Sequence, residues 1–205
     1  IGIALGTLFT GGNFIKNDMN LSAWTTHTYG LEGALHPFNV ALGFTIFFLG
    51  RVQASLYFIN NIDDDAIVRN AKTQLLRDAL LFVGFFVAMT VMLLVMSGVS
   101  YHHTLFFVSE YKFLYNFLAS PILIAFFLLG TLLVLYAIVS TLVRNSKKGI
   151  WFSGIGSILV TLSLFCLLGF NYTSIYPSLS DLSSSLTIEN SSASHYTLRT
   201  MGYVS

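Results

Sequence analysis

Long uncharged apolar blocks alternate along this chain with short polar ones. Residues 38–59, 79–100, 118–143 and 150–170 form four such blocks, and the only charge in any of them is Arg51. At 1.5 Å per helical residue even the shortest reaches roughly 31 Å, the thickness of a bilayer hydrocarbon core. Two shorter apolar stretches, 1–12 and 193–205, read as parts of further membrane helices, so both ends look truncated. The pattern predicts an all-α fold, a polytopic transmembrane helix bundle, with residues 1–205 forming part of a single membrane domain.

Composition strengthens that reading. The chain is 55% hydrophobic and 9% charged, with a mean hydropathy of +0.74, whereas an average soluble domain is about 25% charged. A net charge of +1 with scattered basic residues offers no patch that would track nucleic-acid phosphates. The single cysteine, Cys166, forms no internal disulfide and sits within an apolar span, where it reads as packing. Met89, Met92 and Met96 fall at helical spacing and likewise read as adaptable packing. Gly2 and Gly6 make a G-x-x-x-G face, and Ser153, Gly154, Gly156 and Ser157 a second small-residue face, both suited to close helix approach in lipid.

The connectors give orientation. Loops 60–78 and 144–149 hold Arg69, Lys72, Arg77, Arg144, Lys147 and Lys148, while loops 13–35, 101–117 and 171–192 hold only Lys16 and Lys112. The positive-inside rule places the first set in the cytoplasm and the second outside. Asp63, Asp64 and Asp65 do not reverse this, because carboxylates weigh little in that rule.

Candidate chemistry is sparse. No block contains His, Asp, Glu or Lys, so no metal site and no catalytic group is expected within the bundle. His27, His36, His102, His103 and His195 fall in loops or at helix starts and read as surface imidazoles. Arg51 is the exception, since arginine at membrane depth costs at least ~2.5 kcal/mol on insertion scales. It is expected either to snorkel toward the cytoplasmic headgroups or to pair with a carboxylate or quinone oxygen from a partner or from outside this stretch of chain. Gln53 and Tyr57 extend a thin polar stripe, making Arg51, Gln53 and Tyr57 the candidate cofactor-binding residues.

The segments Gly2–Gly11 (GIALGTLFTG), Gly30-Leu31-Glu32 and His36-Pro37-Phe38-Asn39 resemble the central part of subunit II of cytochrome bd-type quinol oxidases. Ser185-Leu186-Thr187-Ile188, Ser191-Ser192-Ala193-Ser194 and Thr197-Leu198 with Met201 resemble that subunit's last outer loop and final helix. Gln53 and Tyr57 also fit its pattern, whereas Arg51 departs from it. The resemblance implies a nine-helix subunit of which this chain covers the fourth to ninth helices, in the bacterial inner membrane. It further implies a haem-free scaffold that can hold a structural quinone and pairs with a subunit I carrying haem b and haem d, with small accessory subunits as further partners. Quinol oxidation and oxygen reduction would then belong to the complex. The competing expectation is a secondary transporter, which would show broken helices or polar groups at mid-membrane.

Overall fold

The computed structural model describes residues 1–17, 21–102 and 105–188. The expected helix over 193–205 lies outside them, as do His103 and His195. Six helices and two small hairpins follow one another: α1 (Gly2–Thr10), β1 (Phe14–Lys16), β2 (Ser22–Trp24), α2 (Pro37–Asn61), α3 (Asp65–Val95), β3 (Gly98–His102), β4 (Leu105–Ser109), α4 (Lys112–Ala119), α5 (Pro121–Arg144) and α6 (Gly149–Leu167). Helices α2, α3, α5 and α6 are long and apolar enough to cross a membrane.

Local chemistry sets their ends. Pro37 and Pro121 open α2 and α5, where a missing N–H costs nothing. Asp64 caps α3, its Oδ1 accepting from the backbone N–H groups of Ala66 at 2.8 Å and Ile67 at 2.9 Å, which fixes a tight turn after α2. Asn145 ends α5 in the left-handed conformation, φ 52°, which asparagine tolerates better than most residues.

Two boundaries differ from expectation. The block 60–78 is not a loop throughout: from Asp65 onward it is the first half of α3, continuous with the span. The block 79–100 stops being helical at Val95, and Gly98–His102 turns back as β3, paired antiparallel with β4. Among the expected loops, 13–35 holds the β1–β2 hairpin and a 3-10 turn, Leu31–Leu35, and 101–117 holds β4 and most of α4.

In lipid, apolar surface gains little by leaving its surroundings, so small residues and hydrogen bonds must hold helices together. Gly2 and Gly6 press α1 onto α2: a Cβ on Gly6 would meet the Asn39 side chain at 2.4 Å, and one on Gly2 would meet the Gly43 Cα at 2.9 Å. Of the second small-residue face only part packs, since Gly156 abuts α5 while Gly154 has nothing near it. The core has one half around Phe9, Phe38, Met89, Phe113 and Leu167 and another, toward the basic connectors, around Val52, Leu56, Leu75, Phe82 and Ala137. Of the methionine stripe, Met89 is buried but Met92 is exposed.

The loops sort onto two faces. Lys147 Nζ lies 2.6 Å from Asp63 Oδ1, and Lys72 donates to Asn145 at 2.6 Å, joining the two basic connectors. At the opposite end Gly12 bridges Ser178, Ser100 bridges Thr173, and the Lys16 N–H donates to Ser184 Oγ at 2.9 Å. This is the grouping that the lysine and arginine distribution requires.

Candidate functional site

Arg51 has its counter-ion within this chain. Its Nε lies 3.0 Å from Oδ1 of Asp78, whose side chain is buried at 4% exposure while that of Arg51 is 43% exposed. The expected partner, a carboxylate or quinone oxygen from elsewhere, is replaced by a residue that the sequence reading had placed in a loop. Asp78 is held further by Gln74, whose Nε2 lies 3.1 and 3.0 Å from its two oxygens. The Arg51 guanidinium also lies 5.8 Å from the centre of the Phe47 ring, within cation–π range.

These residues line one groove. Arg51, Ala54, Ser55 and Phe58 recur at helical spacing on α2, and Ile67, Asn70, Ala71, Gln74 and Asp78 do so on α3. The two stripes face each other because the turn at 62–64 folds α2 and α3 antiparallel. The groove is open, with a volume of about 430 Å³.

The other two candidates point elsewhere. Gln53 Nε2 donates to Ser157 Oγ on α6 at 2.9 Å, tying α2 to α6. Tyr57 is exposed and packs edge-on against Phe58. Arg51, Gln53 and Tyr57 therefore occupy three different surroundings of α2 rather than one site.

A second cavity, of about 100 Å³, lies inside the bundle among Phe9, Leu42, Phe82, Phe86, Met89 and Val134. Of its hydroxyls, Thr45 donates to the Ala41 carbonyl, Thr131 to that of Phe127 and Ser157 to that of Gly154, and Thr161 also lines it. A dry cavity that takes benzene measures about 150 Å³, somewhat larger than this one.

The end of the bundle opposite the basic connectors carries two polar clasps. Lys112 Nζ donates to the Asn171 carbonyl at 2.8 Å, and burial pushes its ammonium pKa down. Asn116, fully buried, donates to Thr173 Oγ1 at 2.7 Å and sits 3.3 Å from the carbonyls of Leu167 and Phe170. Together they cover the C-terminal end of α6, where bare carbonyls attract cations and donors. In the second clasp Glu32 accepts from Thr28, from Thr26 at 2.8 Å and from Asn13 at 3.0 Å. These bonds, that of Thr28 foremost, hold its carboxyl down at about 2 from an ordinary 4.5. Among the described residues no three His, Cys, Asp or Glu side chains gather as a metal site would require.

Asp78 was hidden because hydropathy alone marks where a span ends, not where its helix ends. The signal lay in the turn: an antiparallel hairpin brings together residues roughly equidistant from it, and Arg51 and Asp78 meet that condition.

Comparison with protein families gives one match: the model for cytochrome bd terminal oxidase subunit II covers residues 1–205. No curated protein matches the chain.

Proposed function

The chain belongs to the cytochrome bd terminal oxidase subunit II family, and on that premise we propose that it is the haem-free subunit of a quinol:oxygen oxidoreductase. In this reading it is a helical scaffold for a partner subunit I that carries haem b and haem d, oxidises quinol and reduces oxygen to water. It contributes packing surface and no redox group of its own. Small accessory subunits and membrane lipid complete its surroundings, the membrane is the bacterial inner membrane, and the basic connectors face the cytoplasm.

One observation carries the assignment of the haems to the partner. The four spans contain no histidine, and the one carboxylate at depth, Asp78, is committed to Arg51 and Gln74. Haem iron needs an axial ligand such as imidazole, thiolate or thioether. Cys166 is exposed, and Met89 is packed in the core. In the same reading quinol oxidation belongs to the partner, and this subunit can hold a structural quinone.

The test is purification of the complete complex in mild detergent, followed by a visible spectrum and oxygen uptake. Haem b and haem d bands that co-purify with this subunit, together with quinol-dependent oxygen consumption, are the expected result. A colourless preparation that moves a solute across liposomes would replace this reading with that of a transporter.

A further inference from the structure

Five helices, α1, α2, α3, α5 and α6, converge on the cavity of about 100 Å³ inside the bundle. It lies at mid-depth: Thr131, on its wall, stands about 15 Å along α5 from Pro121 and about 20 Å from Arg144. Three contacts fix the helices around it. α1 meets α2 at Gly6 and Asn39, α5 meets α6 at Gly130 and Gly156, and Gln53 on α2 holds Ser157 on α6 at 2.9 Å. A helix that shifted inward to fill the space would break one of them.

The walls are apolar, with Leu42, Phe86, Met89, Val134 and Leu164 among them. Thr45, Thr131 and Ser157 each turn a hydroxyl proton to a carbonyl of their own helix, and Thr161 is exposed. Water needs several polar partners to stay in such a place, whereas an apolar cavity of about 150 Å³ stays dry and takes benzene or xenon. A guest here must therefore be smaller than benzene and need no hydrogen bond. Ile46 on α2 and Phe165 on α6 are exposed members of the lining and mark its side toward the bilayer hydrocarbon. Solutes dissolved in lipid thus reach the cavity without crossing water.

We propose that this cavity is a binding site for dioxygen drawn from the bilayer. Dioxygen is apolar, has no hydrogen to donate, is smaller than benzene and dissolves more readily in hydrocarbon than in water. Oxygen as the natural guest rests on the reading of the complex as an oxygen-reducing oxidase. The capacity for a small apolar guest rests on the cavity alone.

The test uses crystals of the complete complex pressurised with xenon, and then with xenon and oxygen together. Xenon density is expected in the wild type among Leu42, Phe86, Met89 and Val134, at an occupancy that falls as oxygen competes. Thr131→Leu, which adds apolar bulk to the wall, is expected to lose the xenon. Leu42→Ala, which enlarges the space, is expected to keep xenon and to admit benzene as well. No xenon in the wild type, xenon unaffected by oxygen, or full xenon occupancy in Thr131→Leu would overturn the proposal. So would density for a lipid chain or a quinone ring in the same place. A colourless complex that still takes up xenon would strike the oxygen assignment together with the oxidase reading, whereas haem bands without xenon would strike the site alone.

Discussion

Gly130 on α5 and Gly156 on α6 meet backbone to backbone: a Cβ on either would lie 2.6 Å from the carbonyl oxygen of the other. No side chain can move aside to relieve such a clash. Gly156→Val is therefore expected to force α5 and α6 apart, at a cost of about 1–3 kcal/mol. Gly154→Val, at a position with open space around it, is expected to be silent. Thermal unfolding of the two purified complexes checks the contrast, and equal midpoints would refute the close packing.

The Arg51–Asp78 ion pair predicts an asymmetry. Arg51→Leu leaves the Asp78 carboxylate buried without a counter-ion, a loss of about 3–5 kcal/mol. Asp78→Asn leaves the half-exposed arginine a neutral hydrogen-bonding partner, a smaller loss of about 1 kcal/mol. The first variant should lower the yield of assembled complex sharply, and the second little. Arg51→Leu combined with Asp78→Leu should recover much of the loss. Matching yields for the two single variants would contradict the burial of Asp78.

The Gln53–Ser157 bond is expected to matter less. Interhelical hydrogen bonds of neutral side chains in a membrane average about 0.6 kcal/mol, so Gln53→Leu should shift the unfolding midpoint only slightly. A loss as large as that of Arg51→Leu would mean that Gln53 contacts something besides α6.

Glu32 gives a prediction in pH. Its folded pKa, about 2, lies below the ordinary value of 4.5, so the clasp contributes fully above 4.5 and loses its contribution as pH falls from there toward 2. Trp24 reports the opening, because its ring covers Gly30, whose φ of +87° suits glycine and where a Cβ would meet the indole at 2.6 Å. In a Trp151→Phe background, Trp24 emission should hold steady down to pH 4.5 and shift to the red below it. Glu32→Gln should abolish that transition, and a transition unchanged by Glu32→Gln would assign it to another group.

The bundle was legible because a helix in lipid must be both long and uncharged, a combination that composition alone exposes. Pro37 and Pro121 marked two helix starts for the same steric reason that they are tolerated there. The hairpins were not legible: β1 and β2 are three residues each, too short for alternation to register. The end of α3 is hidden because Met96 to Ser100 is as free of charge as the span before it, although Gly98-Val99-Ser100-Tyr101 turns back as a strand. Arg51 stood out as costly, but its partner did not, since Asp78 lies just beyond the apolar run and was counted with the solvent-facing charges. Gln53 stood out as polar within a span, yet that it meets Ser157 on α6 depended on a tilt that no spacing reveals.

The end opposite the basic connectors closes by joining distant parts of the chain. The bond from Lys16 to Ser184 links residues 168 positions apart, and the Gly12–Ser178 bridge lies beside it. Neither contact has a partner until α6 has been synthesised and its following segment carried across the bilayer. A chain in which any one of the spans α2, α3, α5 or α6 failed to insert would deliver residues 171–188 to the wrong compartment and leave the β1–β2 hairpin uncapped. Protease resistance of that hairpin in whole cells thus becomes a readout of whether every span was threaded.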